Sequence, residues 1–477
     1  MNTEKVLSFF KEITYIPRES GHEEQIIAYL QKYAADRHLD CKVDKTGNVL
    51  IVKEATPGYE NRPTVVLQSH MDMVCEKNAG VQHDFAKDPI KYEIKDGWMV
   101  APDTTLGADC GIGIAAQLAL MDDDSIPHGR IESLFTVAEE VGLDGARALK
   151  KGFFTGNILL NLDSEDEGEI FVGCAGGICT EAVFTYKPKV LPSSHAVTRF
   201  GVRGCLGGHS GDDIDKGRAN AVQLLARFLN SALKYKIDIC SIEGGNKDNA
   251  IAREASAVVA IPAKSEDDVV KLFNEFSSEI KAEYKSTDSG VDTYAEPLPH
   301  CKTSIDTATS KRLVQALVAA PHGVLAMSFD LKGLVETSSN LASVKMRPGH
   351  RILVVSSQRS SVNSALKAAA EKAAAVFELA GASVKHSSGY PGWKPNMDSP
   401  VKDICVRAYT KLFKKTPVVR AIHAGLECGL FLESYPSLDM VSFGPTLRGV
   451  HAPGEKLELA SLDKFWALLL EVLKMIK

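Results

Sequence analysis

The sequence predicts an α/β domain with a mixed central sheet covered by helices, interrupted by a large α+β insert. Three observations carry this. Short apolar runs of buried-strand type alternate with helical patterns in the first third of the chain. Acidic and histidine residues follow directly on those runs. From about Val197 the pattern changes to strands and helices of a different grouping, and near Tyr390 the first pattern resumes.

Taken in order, Phe9, Phe10 and Ile13 sit at helical spacing, and Pro17 ends that pattern. Ile26, Ile27, Leu30 and Tyr33 mark a second helix, with Glu23 and Glu24 in its first turn. Strands are predicted near 41–43 and 49–52 around a turn at Gly47-Asn48. Apolar strands follow at 64–69, 131–137 and 158–162, with a helix over 111–121 between the first two. In the middle, strands are expected at 197–202, 257–262, 342–346, 352–357 and 382–386. Helices are expected at 218–236, 265–284 and 362–380. This reads as two similar units in tandem. The boundaries that follow are 1–185 and 389–477 for the interrupted domain and 186–388 for the insert.

Composition narrows the function. The 477 residues carry a net charge of −6, which gives no reason to expect nucleic acid or an anionic membrane as partner. No apolar run approaches the roughly 20 residues of a membrane span. The start of the chain lacks the basic and apolar regions of a secretory signal. The 10 cysteines form no Cys-x-x-Cys pair, so free thiols in a reducing cytoplasm are expected.

The chemistry sits where runs end. His70 and Asp72 follow the 64–69 run, and Glu139-Glu140 follow 131–137. Asp163 follows 158–162, and Asp109 occupies the glycine-bearing turn that opens a helix. Any one of these is an ordinary surface residue; the combination points to a metal site. Two ions need a bridging carboxylate, and Asp109 is placed for it. His70 and Asp72, two apart, share a face of an extended segment, so Asp72 can hold the second ring nitrogen of His70. In extended backbone Glu139 and Glu140 point apart, one toward metal and one free to handle protons.

These segments resemble the aminoacyl-histidine dipeptidases (Xaa-His dipeptidases) of the two-zinc peptidase and deacylase group. The match is carried by Leu67–Val74, Thr104–Asp109, Glu139–Ala146, Asn161–Ile170, Gly207–Gly211, Tyr390–Trp393 and Ile422–Phe431, and runs from about residue 10 to the end. The resemblance implies two Zn2+ per chain, with Co2+ or Mn2+ as substitutes. His70, Asp109 and Asp163 would hold one ion, and Asp109, Glu140 and His451 the other. Glu139 would be the general base, Asp72 would orient His70, and His209 of the lid would stabilise the oxyanion on lid closure. Asn249, Arg359, His423 and Glu427 would contact substrate, with Arg359 suited to a carboxylate. The implied activity is hydrolysis of Xaa-His and related dipeptides such as β-alanyl-histidine, in the cytoplasm. A doubled lid would supply His209 within one chain, and a homodimer stays open. The competing enzyme reading is an N-acyl amino acid deacylase or carboxypeptidase with the same two-metal core. A ligand-binding relative without activity would lack Glu139 or a ligand, and every such position is filled.

Overall fold

The computed structural model describes residues 3–477. The chain forms two compact units. The first runs through Gly173 and adds Trp393–Ala421 and Leu426–Lys477; the second comprises Cys174–Gly392 and Ile422–Gly425. Among the described residues no helix is long and apolar enough to cross a membrane.

The first unit is built on an eight-stranded mixed sheet. Its centre is parallel: Ile131–Thr136 pairs with Val65–His70, that strand with Ile158–Asn161, and that one with Asp439–Ser442. The hairpin Asp40–Val43 and Val49–Lys53 joins antiparallel at one side. The strands Val65–His70 and Ile131–Thr136 are buried at every position, which is why the sequence shows continuous apolar runs there. Because the central strands are parallel, their carboxyl ends lie at one edge of the sheet. His70, Asp163 and the Glu139-Glu140 pair all follow that edge.

The helix Ala108–Met121 is buried along nearly its whole length and packs on Val65–His70. Gly113 is required by this packing, since a Cβ there would lie 2.4 Å from Ser69 Oγ. Helix Glu4–Ile13 covers it through Val6, Phe9, Phe10 and Ile13. A separate four-stranded antiparallel sheet joins Glu93–Lys95, Trp98–Val100, Lys456–Glu458 and Leu447–Arg448. It pins both ends of the loop that carries His451.

The second unit has its own antiparallel sheet of nine strands. One half consists of His195–Arg203, Asp238–Gly244, Ala255–Pro262 and Asp292–Leu298, with helices Ala221–Ala232 and Glu266–Glu283. The other is built from Gly176–Thr185, Val335–Arg347, Arg351–Ser360 and Ser383–His386, with helices Thr307–Ala319 and Asn363–Leu379; the short strand Gly323–Met327 flanks Val335–Arg347. The halves join through Gly244 opposite Val344. Phe200, Phe228 and Phe273 meet at centroid distances of 4.7–4.9 Å in the core of the first half. Helix caps fall on residues suited to them: Asn220 accepts from Val222 and Gln223, and Asp306 from Thr309.

Several expectations are corrected. The insert begins at Cys174 and not at 186, because Gly176–Thr185 pairs along its full length with Arg351–Ser360. It runs to Gly392 instead of 388, because Tyr390 still bonds Gly177 through the backbone. The helix Thr307–Ala319 and the strands Asp238–Gly244 and Asp292–Leu298 were not expected. Cys240 and Cys301 are joined in a disulfide, where free thiols were expected. The fold brings them together beside Leu191, Val197 and Ala260, while the other eight cysteines remain thiols.

Candidate metal centre

The centre is organised around Asp109. Gly107 turns the chain ahead of it at φ +70°. The two oxygens of Asp109 face different partners. Oδ1 lies 3.0 Å from His70 Nε2, and Oδ2 lies 3.2 Å from His451 Nε2. Asp163 Oδ1 stands 3.3 Å from His70 Nε2, and Glu140 Oε1 stands 2.9 Å from His451 Nε2. The five side chains placed by the sequence as ligands therefore meet in two groups that share one carboxylate.

Asp72 is fully buried and does more than expected. Its Oδ1 is 3.4 Å from His70 Nδ1, which lies nearer, at 3.1 Å, to the Asp72 backbone carbonyl. The carboxylate also accepts from Ser20 Oγ (2.7 Å) and from the backbone N–H groups of Glu139 (3.0 Å) and Glu140 (3.2 Å). Glu139 and Glu140 are thus not in extended backbone. They open the short helix Glu139–Gly142, preceded by Ala138 at φ +52°, with Asp72 at its N-terminus.

The charges of this cluster do not balance internally. Asp72, Asp109, Glu139, Glu140 and Asp163 surround two histidines. Burial, reinforced by Asp109, pushes Asp163 up to about 6. Burial, with Asp163, Glu427 and Glu140 adding to it, raises Glu139 well above the usual carboxylate range. Hydrogen bonds to Asp109 and Glu140 push His451 up to about 11. Burial alone would lower His70, but Asp163, Asp109 and Asp72 raise it well above its ordinary value. Burial likewise opposes the ionised form of Asp109, and His451 and His70 still pull it far down. Asp163 Oδ1 is buried and makes no hydrogen bond. An excess of carboxylate with an unbonded, buried oxygen and two imidazole nitrogens suits divalent cations.

Cys110 also falls within reach of His70 and Asp163. Burial pushes its thiol well above the usual range, and its Sγ donates to the Leu162 carbonyl at 3.2 Å. In the absence of metal the thiol form is therefore favoured.

Sequence reasoning missed Arg18 and Glu455, both buried and bonded to the backbone of this region. Neither belongs to a motif with a ligand spacing, so only the fold identifies them.

Glu427 stands in the interior of the first unit. It is 0% exposed. Its Oε2 accepts from Gln68 Nε2 (2.6 Å) and Thr136 Oγ1 (2.8 Å), and Asn161 Nδ2 donates to Gln68 Oε1 (2.6 Å). These partners stand on three adjacent strands that lead to the candidate ligands. Burial pushes Glu427 up to about 8.

The second unit gathers a different cluster. Arg359 is only 8% exposed. It donates to Ser210 Oγ (3.2 Å) and Tyr390 Oη (3.1 Å), and its Nη2 lies 3.3 Å from His209 Nε2. His209 Nδ1 is 3.4 Å from Asp212 Oδ2. The His209 loop is closed by Asp213, which accepts from the His209 N–H (2.9 Å) and pairs with Arg218 (2.9 Å). His423 is buried against Ser338 Oγ at 2.7 Å, and Ser338 stands opposite Arg359 in the sheet. Burial, with Arg359 adding to it, lowers His423 to about 4. Asn249 is exposed, and its backbone carbonyl accepts from Ser210 N–H at 2.8 Å, so it supports this loop through its main chain.

His70 and carboxylates at the carboxyl ends of parallel strands, with His451 on its loop and one shared aspartate between them, form the candidate metal site of a hydrolase. The chain matches the model of Peptidase family M20/M25/M40 over residues 66–475 and belongs to that family. It is 39% identical over 475 residues to the cytosol non-specific dipeptidase of Escherichia coli, covering 99% of this chain and 98% of that one. The crystal structure of aminoacylhistidine dipeptidase from Vibrio alginolyticus is 41% identical. It covers 99% of this chain and 96% of its own, at a TM-score of 0.91. An aminopeptidase structure from Bacillus cereus, 19% identical at a TM-score of 0.60, shares the fold.

Proposed function

We propose that this protein is a cytoplasmic dipeptidase that uses two Zn2+ ions to hydrolyse Xaa-His and related dipeptides, with Co2+ or Mn2+ able to replace them. The observation that carries this reading is the divided Asp109 carboxylate, with His70 and Asp163 on one side and His451 and Glu140 on the other. The two relatives, one a non-specific dipeptidase and one an aminoacylhistidine dipeptidase, support the dipeptide and the histidine parts of the reading.

His70, Asp109 and Asp163 would hold one ion, and Asp109, Glu140 and His451 the second. Bound there, divalent ions supply Lewis acidity toward an amide carbonyl and lower the proton affinity of water. Glu139, which makes no ligand contact, takes the proton of the attacking water at its carboxylate and returns it to the leaving amine. Asp72 keeps the Glu139 turn and the His70 ring in place. His209 would help to stabilise the developing oxyanion. Arg359, a buried guanidinium bonded to hydroxyls and a ring nitrogen, takes the carboxylate of the dipeptide. His423, held by Ser338 opposite Arg359 in the sheet, would contact substrate beside it.

Kinetics of Glu139→Ala with metal content measured on the same sample provide the test. Turnover falls about 10²–10⁴-fold with two ions retained. Near-normal turnover sinks the assignment. A panel of β-alanyl-histidine, Xaa-His dipeptides, a tripeptide and an N-acetyl amino acid decides between dipeptidase and the deacylase or carboxypeptidase alternatives.

A further inference from the structure

Two buried charges outside the ligand set converge on one turn. The guanidinium of Arg18 donates to the carbonyls of Met71 (3.1 Å) and Asp72 (2.9 Å) through Nη1, and to the Gly107 carbonyl through Nη2. The carboxylate of Glu455 accepts from the N–H groups of Leu106 (2.7 Å), Gly107 (3.0 Å) and Ala108 (2.8 Å). Arg18 and Glu455 are each 2% exposed. All of these bonds end on backbone.

Burying a charge is unfavourable, and apolar side chains filling the same space would cost less. What these two charges secure is the position of main chain. Arg18 ties the segment that follows His70 to the turn that precedes Asp109. Glu455 holds that same turn from the loop that carries His451, four residues earlier. Its own carbonyl accepts from Ala101 N–H at 3.1 Å, which anchors the loop to the small antiparallel sheet. Gly107 leaves no room for a side chain. It sits at φ +70°, and a Cβ there would lie 2.5 Å from Arg18 Nη2. Three segments far apart in sequence, bearing His70, Asp109 and His451, are therefore joined by two side chains.

We infer that Arg18 and Glu455 are positioning residues of the metal centre, which set the spacing of His70, Asp109 and His451 and thereby its affinity for divalent cations. This rests on the metal-binding reading above. Lysine cannot reproduce the fork of a guanidinium over several carbonyls. Glutamine keeps the shape of Glu455 but turns one acceptor oxygen into an NH2 facing backbone N–H groups.

The test uses full-length protein stripped with a chelator and titrated with Zn2+ against a chromophoric competitor. Co2+ absorption spectra and urea unfolding of the metal-free protein are recorded alongside. Arg18→Lys and Glu455→Gln each weaken Zn2+ binding about 10–100-fold and change the Co2+ visible spectrum. The loss of affinity exceeds any change in the stability of the metal-free protein. Wild-type Zn2+ affinity and Co2+ spectrum in both variants overturn the inference, as does a loss confined to metal-free stability. If Arg18→Lys does not fold, the shape-preserving Glu455→Gln decides. A wild-type protein that binds no Zn2+ overturns the functional reading as well, so the two failures are told apart by the wild-type titration.

Discussion

The cluster around Asp109 and the cluster around Arg359 are opposites. The first has five carboxylates and two histidines. The second has a buried guanidinium and two histidines, and the carboxylate nearest to them, Asp212, sits beside His209. Each is short of the charge the other has in excess. A carboxylate surplus at the ends of parallel strands suits bound cations. A buried guanidinium without a carboxylate partner suits an anionic group of the substrate. The contrast teaches that the two kinds of charge stand on different scaffolds: a carboxylate surplus at a parallel sheet edge, a buried guanidinium on an antiparallel sheet.

The largest effect is expected at the shared carboxylate. Asp109→Asn leaves His70 and His451 without their common partner, and bound metal falls below one ion per chain with turnover lost. Two retained ions, measured by elemental analysis, would break the cation side of the comparison.

Arg359→Met tests the anion side. Removing one partner of a buried charge contact costs about 2–5 kcal/mol, so kcat/KM for a dipeptide drops about 30-fold or more, mainly through KM. The corresponding dipeptide amide, lacking the carboxylate, loses far less. Equal losses on both substrates would show that Arg359 does not read the carboxylate.

A smaller effect concerns the neutral histidines of the second unit. Burial lowers His322 to about 4, and its Nδ1 accepts from the Leu341 N–H (3.3 Å). The folded value lies below the unfolded one near 6.5. Its contribution, roughly 3 kcal/mol, is therefore complete above about pH 6.5 and is lost as pH falls toward 4. His322→Gln keeps an acceptor and cannot take up that proton. Urea unfolding between pH 7 and 4.5 should show a shallower acid loss in the variant, and identical slopes would refute the assignment.

The smallest effect is expected at Glu427. The carboxyl is buried and raised to about 8, so near neutral pH it resembles the neutral amide of Glu427→Gln. We expect kcat and KM within about threefold of wild type. A KM rise of tenfold or more would instead support the substrate contact that the resemblance implies.

Much of the fold was legible because its signals are local. The runs at 64–69, 131–137 and 158–162 became parallel strands, and each candidate ligand after them lies at a strand end. The halves of the second unit were visible through helices of strong pattern, such as Glu266–Glu283 and Asn363–Leu379. The strand Gly176–Thr185 was missed because its glycines and mixed polarity resemble loop, and only pairing with Arg351–Ser360 makes it a strand. Asn249 and Glu427 drew attention through motif membership, and only the fold shows their hydrogen-bond partners.

By itself the sequence determined which side chains could bind metal and where along the chain they stood. Residue type and strand-end position are properties of short segments, and hydrophobic burial dictates them directly. Tertiary structure alone decided that both oxygens of Asp109 face different histidines, that Asp72 holds the Glu139 turn, and that Arg18 and Glu455 brace the turn before Asp109. Those contacts join residues from tens to hundreds of positions apart. Such distances carry no local pattern, and only the packing of the sheet brings these groups within hydrogen-bond reach.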